Sequence, residues 1–248
     1  MLEVKSEELL IDVVLRLISG AKHVAVGANS PIPAAAAFLA QHLGNGRPYV
    51  SLQQSPKHNL FTDGGRELFD AAGQGRIDVF FLSGAQIDGQ GNINLVAVGD
   101  YARPKARFPG SFGSTYLYFV VPRVILFRTE HSRRTLVSKV DFISAPGMSP
   151  PNVYRRGGPV ALVTPLCHFA FDKERSRFRL ESVHPGHTVE EVLDNTGFEF
   201  DRPAVVPVTP APAPATLQLL RETLAPELAA LYPQFGARVL GIVPHAAE

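Results

Sequence analysis

Short apolar runs alternate with helical stretches through the first third of the chain, and this alternation narrows the fold more than any other feature. Leu9, Leu10, Val13, Val14, Leu17 and Ile18 recur at helical spacing. Ser6 is placed to cap that helix, Glu7 and Glu8 suit its positive first turn, and Gly20 suits its end. Residues 23–26 read as a buried strand, 34–42 as an alanine-rich helix stopping at Gly44, and 49–53 as a second strand. A helical segment over 66–72 and a third strand over 77–82 follow. Strands separated by helices of this length pair in parallel, because a parallel crossover needs about a dozen residues. The expectation is an α/β fold: an open, mostly parallel sheet with flanking helices.

The pattern changes after Ser83. Asp88-Gly89 and Gly91 mark a turn, and 93–98 reads as a strand. Residues 99–115 are rich in Gly, Pro, Arg and Ser without a period, which predicts a long ordered loop. Strands are expected over 124–127, 141–144, 160–163, 168–171 and 178–182, with 172–176 as a hairpin connection. Thr188 and Glu191 form a capping box opening a short helix that ends near Gly197. Residues 203–214 hold five of the 21 prolines, too many for a helix or a central strand. That segment is expected to run extended and deliver a final helix over 216–224. No internal repeat is visible, and residues 1–248 are read as a single domain.

Composition excludes several classes of function. At 45% hydrophobic residues the chain can fill a core, so it is not a disordered polymer. With 24 Lys and Arg against 23 Asp and Glu, there is no electrostatic case for nucleic acid or an anionic membrane. The apolar runs 34–40 and 116–121 are too short to cross a bilayer, and Met1, Glu3, Lys5, Glu7 and Glu8 do not form a signal peptide. The single cysteine, Cys167, excludes an internal disulfide and a cysteine-based zinc cage, and points to a reducing, cytoplasmic setting. Cys167 and His168 project to opposite faces of a strand, so a buried structural cysteine is expected in place of a nucleophile. His184 and His187 flank Pro185-Gly186, a turn with no clustered ligands, so no metal site is expected.

The more specific signal lies in longer strings. Ser83-Gly84-Ala85-Gln86-Ile87-Asp88, Gly91-Asn92-Ile93-Asn94 and Gly99-Asp100-Tyr101 closely resemble the B subunits of family I coenzyme A transferases of the glutaconate CoA-transferase type. The resemblance continues through Pro104-Lys105, Arg107-Phe108, Gly110-Ser111 and Gly113, then Glu130-His131, Arg133-Arg134, Lys139, Asp141 and Pro146-Gly147. It returns at Val192-Leu193-Asp194-Asn195-Thr196-Gly197-Phe198 and, more weakly, at Leu220-Arg221-Glu222. It implies the CoA-transferase architecture shared with ribose-5-phosphate isomerase-like proteins, an A-type partner subunit, and an acyl-CoA substrate with no tightly bound cofactor. In these transferases a B-subunit glutamate attacks the thioester and carries CoA, while backbone amides stabilise the oxyanion.

This sequence departs from the family at that glutamate. The stretch is Val50-Ser51-Leu52-Gln53-Gln54-Ser55, which puts Gln53, or Gln54 with a one-residue slip, at the position. A carboxamide cannot form the glutamyl thioester. A subgroup that hydrolyses cyclic ketone acyl-CoAs in steroid degradation also lacks this glutamate and draws its acid or base from the A subunit. The bland reading of Gln53 is a polar residue at a strand end.

Further candidates follow the resemblance. Gly113 and Ser114 take the last two places of the family's Gly-Gly-Ala oxyanion loop, with Phe112 in place of a glycine; an ordinary turn is the alternative. Asn29 and Ser30 follow the first strand at the usual crevice position and are assigned to ligand binding or to capping the next helix. Gln86 is assigned with them to the CoA site. Arg103, Lys105 and Arg107 could meet CoA phosphates or a substrate carboxylate, or form ion pairs at a subunit interface. Arg133 and Arg134 are expected to pair with Glu130 and neighbouring acids. Three functions fit: an enzymatic B subunit performing CoA transfer, hydrolysis or C–C cleavage; a non-catalytic acyl-CoA-binding subunit; or an unrelated activity on the same scaffold.

Overall fold

The computed structural model describes residues 3–53 and 55–242. In chain order its elements are α1 Ser6–Leu17, β1 His23–Val26, α2 Pro31–Leu43, β2 Tyr49–Leu52, α3 Gly64–Gly73, β3 Val79–Leu82, β4 Gln86–Ile87, β5 Ile93–Asn94, β6 Ala97–Val98 and β7 Ala106–Arg107. They continue with α4 Ser114–Val120, β8 Arg123–Phe127, β9 Pro159–Val163, β10 Cys167–Asp172, β11 Arg177–Val183, α5 Val189–Asn195, α6 Pro214–Gln218 and α7 Ala225–Leu231. Where the sequence suggested one domain, the chain groups into two compact units: residues up to Gly64 together with those from Pro210, and Gly65–Thr209.

In the first unit β1 and β2 pair in parallel, from His23 opposite Tyr49 to Val26 opposite Leu52. The α1 stripe is buried, and α2 packs on it through a run of buried alanines, Ala34 to Ala37, that lets the helices approach closely. Ser6 is not the cap. Lys5 holds that position, and the Glu8 carboxylate accepts the Lys5 N–H at 2.9 Å, so the serine hydroxyl is not needed there. The final helix begins at Pro214, where a missing N–H costs nothing, and continues past 224 through a π-helical stretch, Leu219–Leu224, into α7.

In the second unit the strand order is β11-β10-β9-β8-β3, with β3–β8 and β8–β9 parallel and the β9–β10–β11 end antiparallel. The expected open, mostly parallel α/β architecture is therefore present. Phe169, Phe178 and Phe198 pack ring to ring in its core. The strand expected over 93–98 is two short ones. Asn94 accepts the Val96 amide at 3.0 Å and donates to the Ala97 carbonyl at 2.6 Å, so its side chain interrupts the ladder. Residues 141–144 are not a strand either, since the Ser144 and Ala145 amides turn to the Ile93 carbonyl. Within the 99–115 segment β7 folds back on β6, and α4 begins at Ser114. The proline-rich stretch runs extended beside β11: the Val183 N–H donates to the Pro207 carbonyl and the Thr209 N–H to the Val183 carbonyl. Among the described residues no helix is long and apolar enough to cross a membrane.

Candidate active site

In the first unit, Gln53 directly follows β2, and its N–H donates to the Val26 carbonyl at 3.1 Å. That bond holds Gln53 at the carboxyl ends of the parallel β1–β2 pair, where open α/β sheets place ligands. Its carboxamide, half-buried, has no hydrogen-bond partner among the described residues. The alternative position, Gln54, lies outside the described residues, as does Met1. The chain beyond folds back: the Leu52 N–H donates to the His58 carbonyl at 3.0 Å, and the His58 N–H to the Ser55 hydroxyl at 3.1 Å. Sequence reasoning missed the acid beside this loop. Glu227 of α7 meets His58 Nε2 at 2.8 Å and also pairs with Lys57. Burial raises the Glu227 carboxyl, but the Lys57 and His58 contacts outweigh it and hold its pKa below the ordinary value. No sequence proximity could reveal a pair separated by 169 residues.

Asn29 takes a left-handed backbone, φ 51°, at the turn into α2, and lines a cavity of about 650 Å³ with Tyr232 and Arg238. Ser30 holds the N-cap position but makes no side-chain cap bond; its hydroxyl donates back to the Ala28 carbonyl at 3.0 Å.

In the second unit, the glycine loop enters α4. Phe112 is 81% exposed with φ 44°, and its ring lies 5.3 Å from that of Phe69. Gly113 is buried at the N-cap of α4. The Ser114 N–H, expected to be an oxyanion donor, instead donates to the Ser111 carbonyl at 2.8 Å. The amides of Gly113, Thr115 and Tyr116 have no acceptor among the described residues, and the buried Ser114 hydroxyl has none either. The donor assignment therefore moves from Ser114 to these neighbours, because the turn closing on Ser111 engages the Ser114 amide. A cavity of about 500 Å³ opens beside the loop, lined by Ser83, Gly84, Phe108, Gly110 and Arg128 among others.

Gln86 is removed from the ligand site. It is buried, donates to Asp141 at 3.0 Å, and accepts from Asn94 Nδ2 at 2.8 Å and from the Asp141 N–H at 3.0 Å. An amide engaged at both ends cross-links the hairpins and cannot turn to a ligand. Of the basic trio, Arg107 donates to the Tyr101 carbonyl at 2.9 Å and stacks on that ring. Arg103 and Lys105 are exposed and carry no ion pair among the described residues. Arg134 grips Glu130 through both carboxylate oxygens, as expected, whereas Arg133 caps α5 by donating to the Asp194 carbonyl at 2.7 Å.

His131 is the second group whose surroundings the sequence did not disclose. Its ring nitrogens meet the hydroxyls of Thr164 at 2.7 Å and Thr196 at 2.9 Å, and Cys167 Sγ lies 3.9 Å from Nδ1. Burial pushes the His131 pKa down to about 4 and the Cys167 thiol well up, so both are neutral at pH 7. The thiol is thus the buried structural cysteine expected. Among the described residues no cluster of His, Cys, Asp and Glu could hold a metal ion.

Crevice loops at the carboxyl ends of parallel strands, with a glycine-bearing loop entering a helix, define an α/β protein built to bind a small molecule. The family model described as coenzyme A transferase matches residues 48–195, more than half of the chain. The chain belongs to the coenzyme A transferase family. It is 38% identical over 153 residues to the B subunit of 3-oxoadipate CoA-transferase from Pseudomonas knackmussii, a match covering 59% of this chain and 58% of that protein. It is 34% identical over 165 residues to the cholesterol ring-cleaving hydrolase IpdB subunit of Rhodococcus jostii, covering 65% and 64%. Each match thus spans less than two thirds of the relative's length. The fold is similar to the crystal structure of glutaconate coenzyme A-transferase from Acidaminococcus fermentans, with a TM-score of 0.78 and 25% identity, covering 92% of this chain and 98% of that one.

Proposed function

We propose that the chain is the B subunit of a heteromeric CoA-transferase-like enzyme acting on an acyl-CoA thioester, with an A-type subunit supplying the catalytic acid or base. The observation that carries the assignment of chemistry is Gln53: the crevice position after β2 holds a carboxamide, which cannot carry CoA as a covalent thioester. Water, or a nucleophile from the partner, then attacks the thioester carbon directly, and negative charge develops on the carbonyl oxygen. The unengaged Gly113 and Thr115 amides are the donors this chain offers to that oxygen. Coenzyme A enters as substrate, with no tightly bound cofactor, and the assembly works in the cytoplasm.

CoA-dependent hydrolysis or C–C cleavage is favoured over transfer by the same carboxamide, in keeping with the similarity to a ring-cleaving hydrolase subunit. The test is co-purification with an A-type subunit, light scattering of the complex, and an assay of acyl-CoA with and without an acceptor acid. A heteromer releasing free CoA without an acceptor is expected. A chain that stays monomeric and ignores the A-type protein, or a strict need for acceptor acid, overturns the reading.

A further inference from the structure

The cavity beside the glycine loop has an unusual wall. Most of it is apolar, from Leu95, Val98, Phe108 and Pro109. Arg128 lines the same cavity, and its guanidinium makes no hydrogen bond among the described residues. Its Nε is buried without an acceptor, and the Glu130 carboxylate stays 3.6 Å away. Glu130 is already held by Arg134 through both oxygens. Two arginines therefore share one carboxylate, which leaves a surplus positive charge on an otherwise apolar surface. Desolvation lowers the Arg128 pKa, yet a guanidinium remains charged at any physiological pH. A buried donor without an acceptor is costly unless a ligand supplies one.

We propose that this cavity is a subsite for a short aliphatic chain ending in a carboxylate, with Arg128 as the group that recognises the anion. A planar carboxylate can take two parallel N–H bonds from a guanidinium, while the chain behind it contacts the apolar wall. A single surplus charge suits one carboxylate; the several phosphate charges of CoA would call for more cations and a wetter surface. The volume, about 500 Å³, is of the size that small-molecule sites have. The proposal deepens the acyl-CoA reading by giving the acyl group an anionic far end, and it rests on that reading only for the thioester end.

The test uses the full chain and free acids, with no CoA present. Hexanoate and adipate are titrated against the protein, with hexanamide as the neutral isostere. Binding is read by calorimetry and by the arginine Nε–H signals of nitrogen-15 labelled wild-type protein. Hexanoate is expected to bind at least tenfold more tightly than hexanamide and to move one arginine Nε–H signal, assigned as Arg128 by its absence from Arg128→Met. That variant should lose hexanoate binding at least tenfold, while Arg175→Gln binds as wild type. Equal binding of hexanoate and hexanamide, or an unmoved set of arginine signals at saturating acid, overturns the subsite even if Arg128→Met fails to fold. Because no thioester takes part, a failed acyl-CoA assay leaves this result standing, and a failed titration leaves the acyl-CoA assay to be judged alone.

Discussion

The ring of Phe69 lies so close to Gly113 that a Cβ on the glycine would stand 2.1 Å from it. Gly113 is therefore required by packing, whatever its amide does in catalysis. Gly113→Ala should destabilise the protein by about 1–3 kcal/mol, the range for forcing extra volume into a packed site. Shortening the ring in Gly113→Ala/Phe69→Leu should recover part of that loss, giving a coupling of about 1 kcal/mol in a double-mutant cycle read by denaturation. Additive losses would show that the ring yields freely.

Ser114 makes the contrasting case. Its buried hydroxyl has no partner and its amide is closed on Ser111. Ser114→Ala should be neutral or stabilise by up to about 1 kcal/mol, because it removes an unsatisfied buried group. Turnover of the assembled enzyme on its acyl-CoA should stay within about twofold, whereas losing an amide donor to the oxyanion costs about 10²-fold or more. A dead Ser114→Ala enzyme that still folds and assembles would assign the chemistry to the hydroxyl.

Gln53 offers a covalent readout. Incubated with acyl-CoA and then borohydride, the wild-type complex should show no CoA adduct on this chain by intact mass. Gln53→Glu restores a carboxylate at the carboxyl end of β2, and the expected outcome is a trace of trapped adduct or of transfer activity. An adduct on a side chain of the wild-type chain would show that the nucleophile lies elsewhere in it.

Acid should weaken the fold through His131. Its folded pKa, near 4, lies below the ordinary 6.5 because burial disfavours the cation. The unfolded chain therefore takes up the proton first, so the contribution is complete above about pH 6.5 and is lost as pH falls towards 4, a change of about 3 kcal/mol. Urea denaturation at pH 7.5 and 4.5 should show a steeper loss for wild type than for His131→Gln. The carboxylates common to both proteins cancel in that comparison. Parallel pH profiles would place the sensitivity in other groups.

Glu8 and Arg221 tie α1 to the C-terminal helical stretch. Arg221 Nε and Nη2 meet the two Glu8 oxygens at 2.6 and 2.7 Å, and the Glu8 side chain is 1% exposed. Burial raises the Glu8 carboxyl, but the Arg221 contacts and the Lys5 amide outweigh it and keep it ionised below its ordinary range. Arg221→Met leaves that carboxylate buried and unpaired and should cost about 3 kcal/mol. Glu8→Gln should cost less, since the arginine left behind is about one-third exposed and keeps some water. Equal losses in chemical denaturation would argue that burial, not pairing, dominates the site.

Local pattern was enough to read β1, α2, β2, α3 and β3 almost to the residue, because spacing and apolar runs reflect which side chains a strand or helix buries. The strings around Ser83, Gly110 and Val192 carried the family in the same way, since short loops keep their residue types where backbone must turn or approach closely. Gln53 stood out from sequence alone because the chemistry lost there belongs to one atom of one side chain. What required the tertiary structure were relations across long chain separations. Gln86 was a site residue until Asp141 and Asn94 were seen to engage its amide. Glu227 came to the Gln53 loop only through the packing of the C-terminal helix, and Arg128 gained its significance when the cavity formed and Arg134 took Glu130. Hydrogen bonds and charge depend on distance in space, and a one-dimensional order of residues leaves that distance open until the chain has packed.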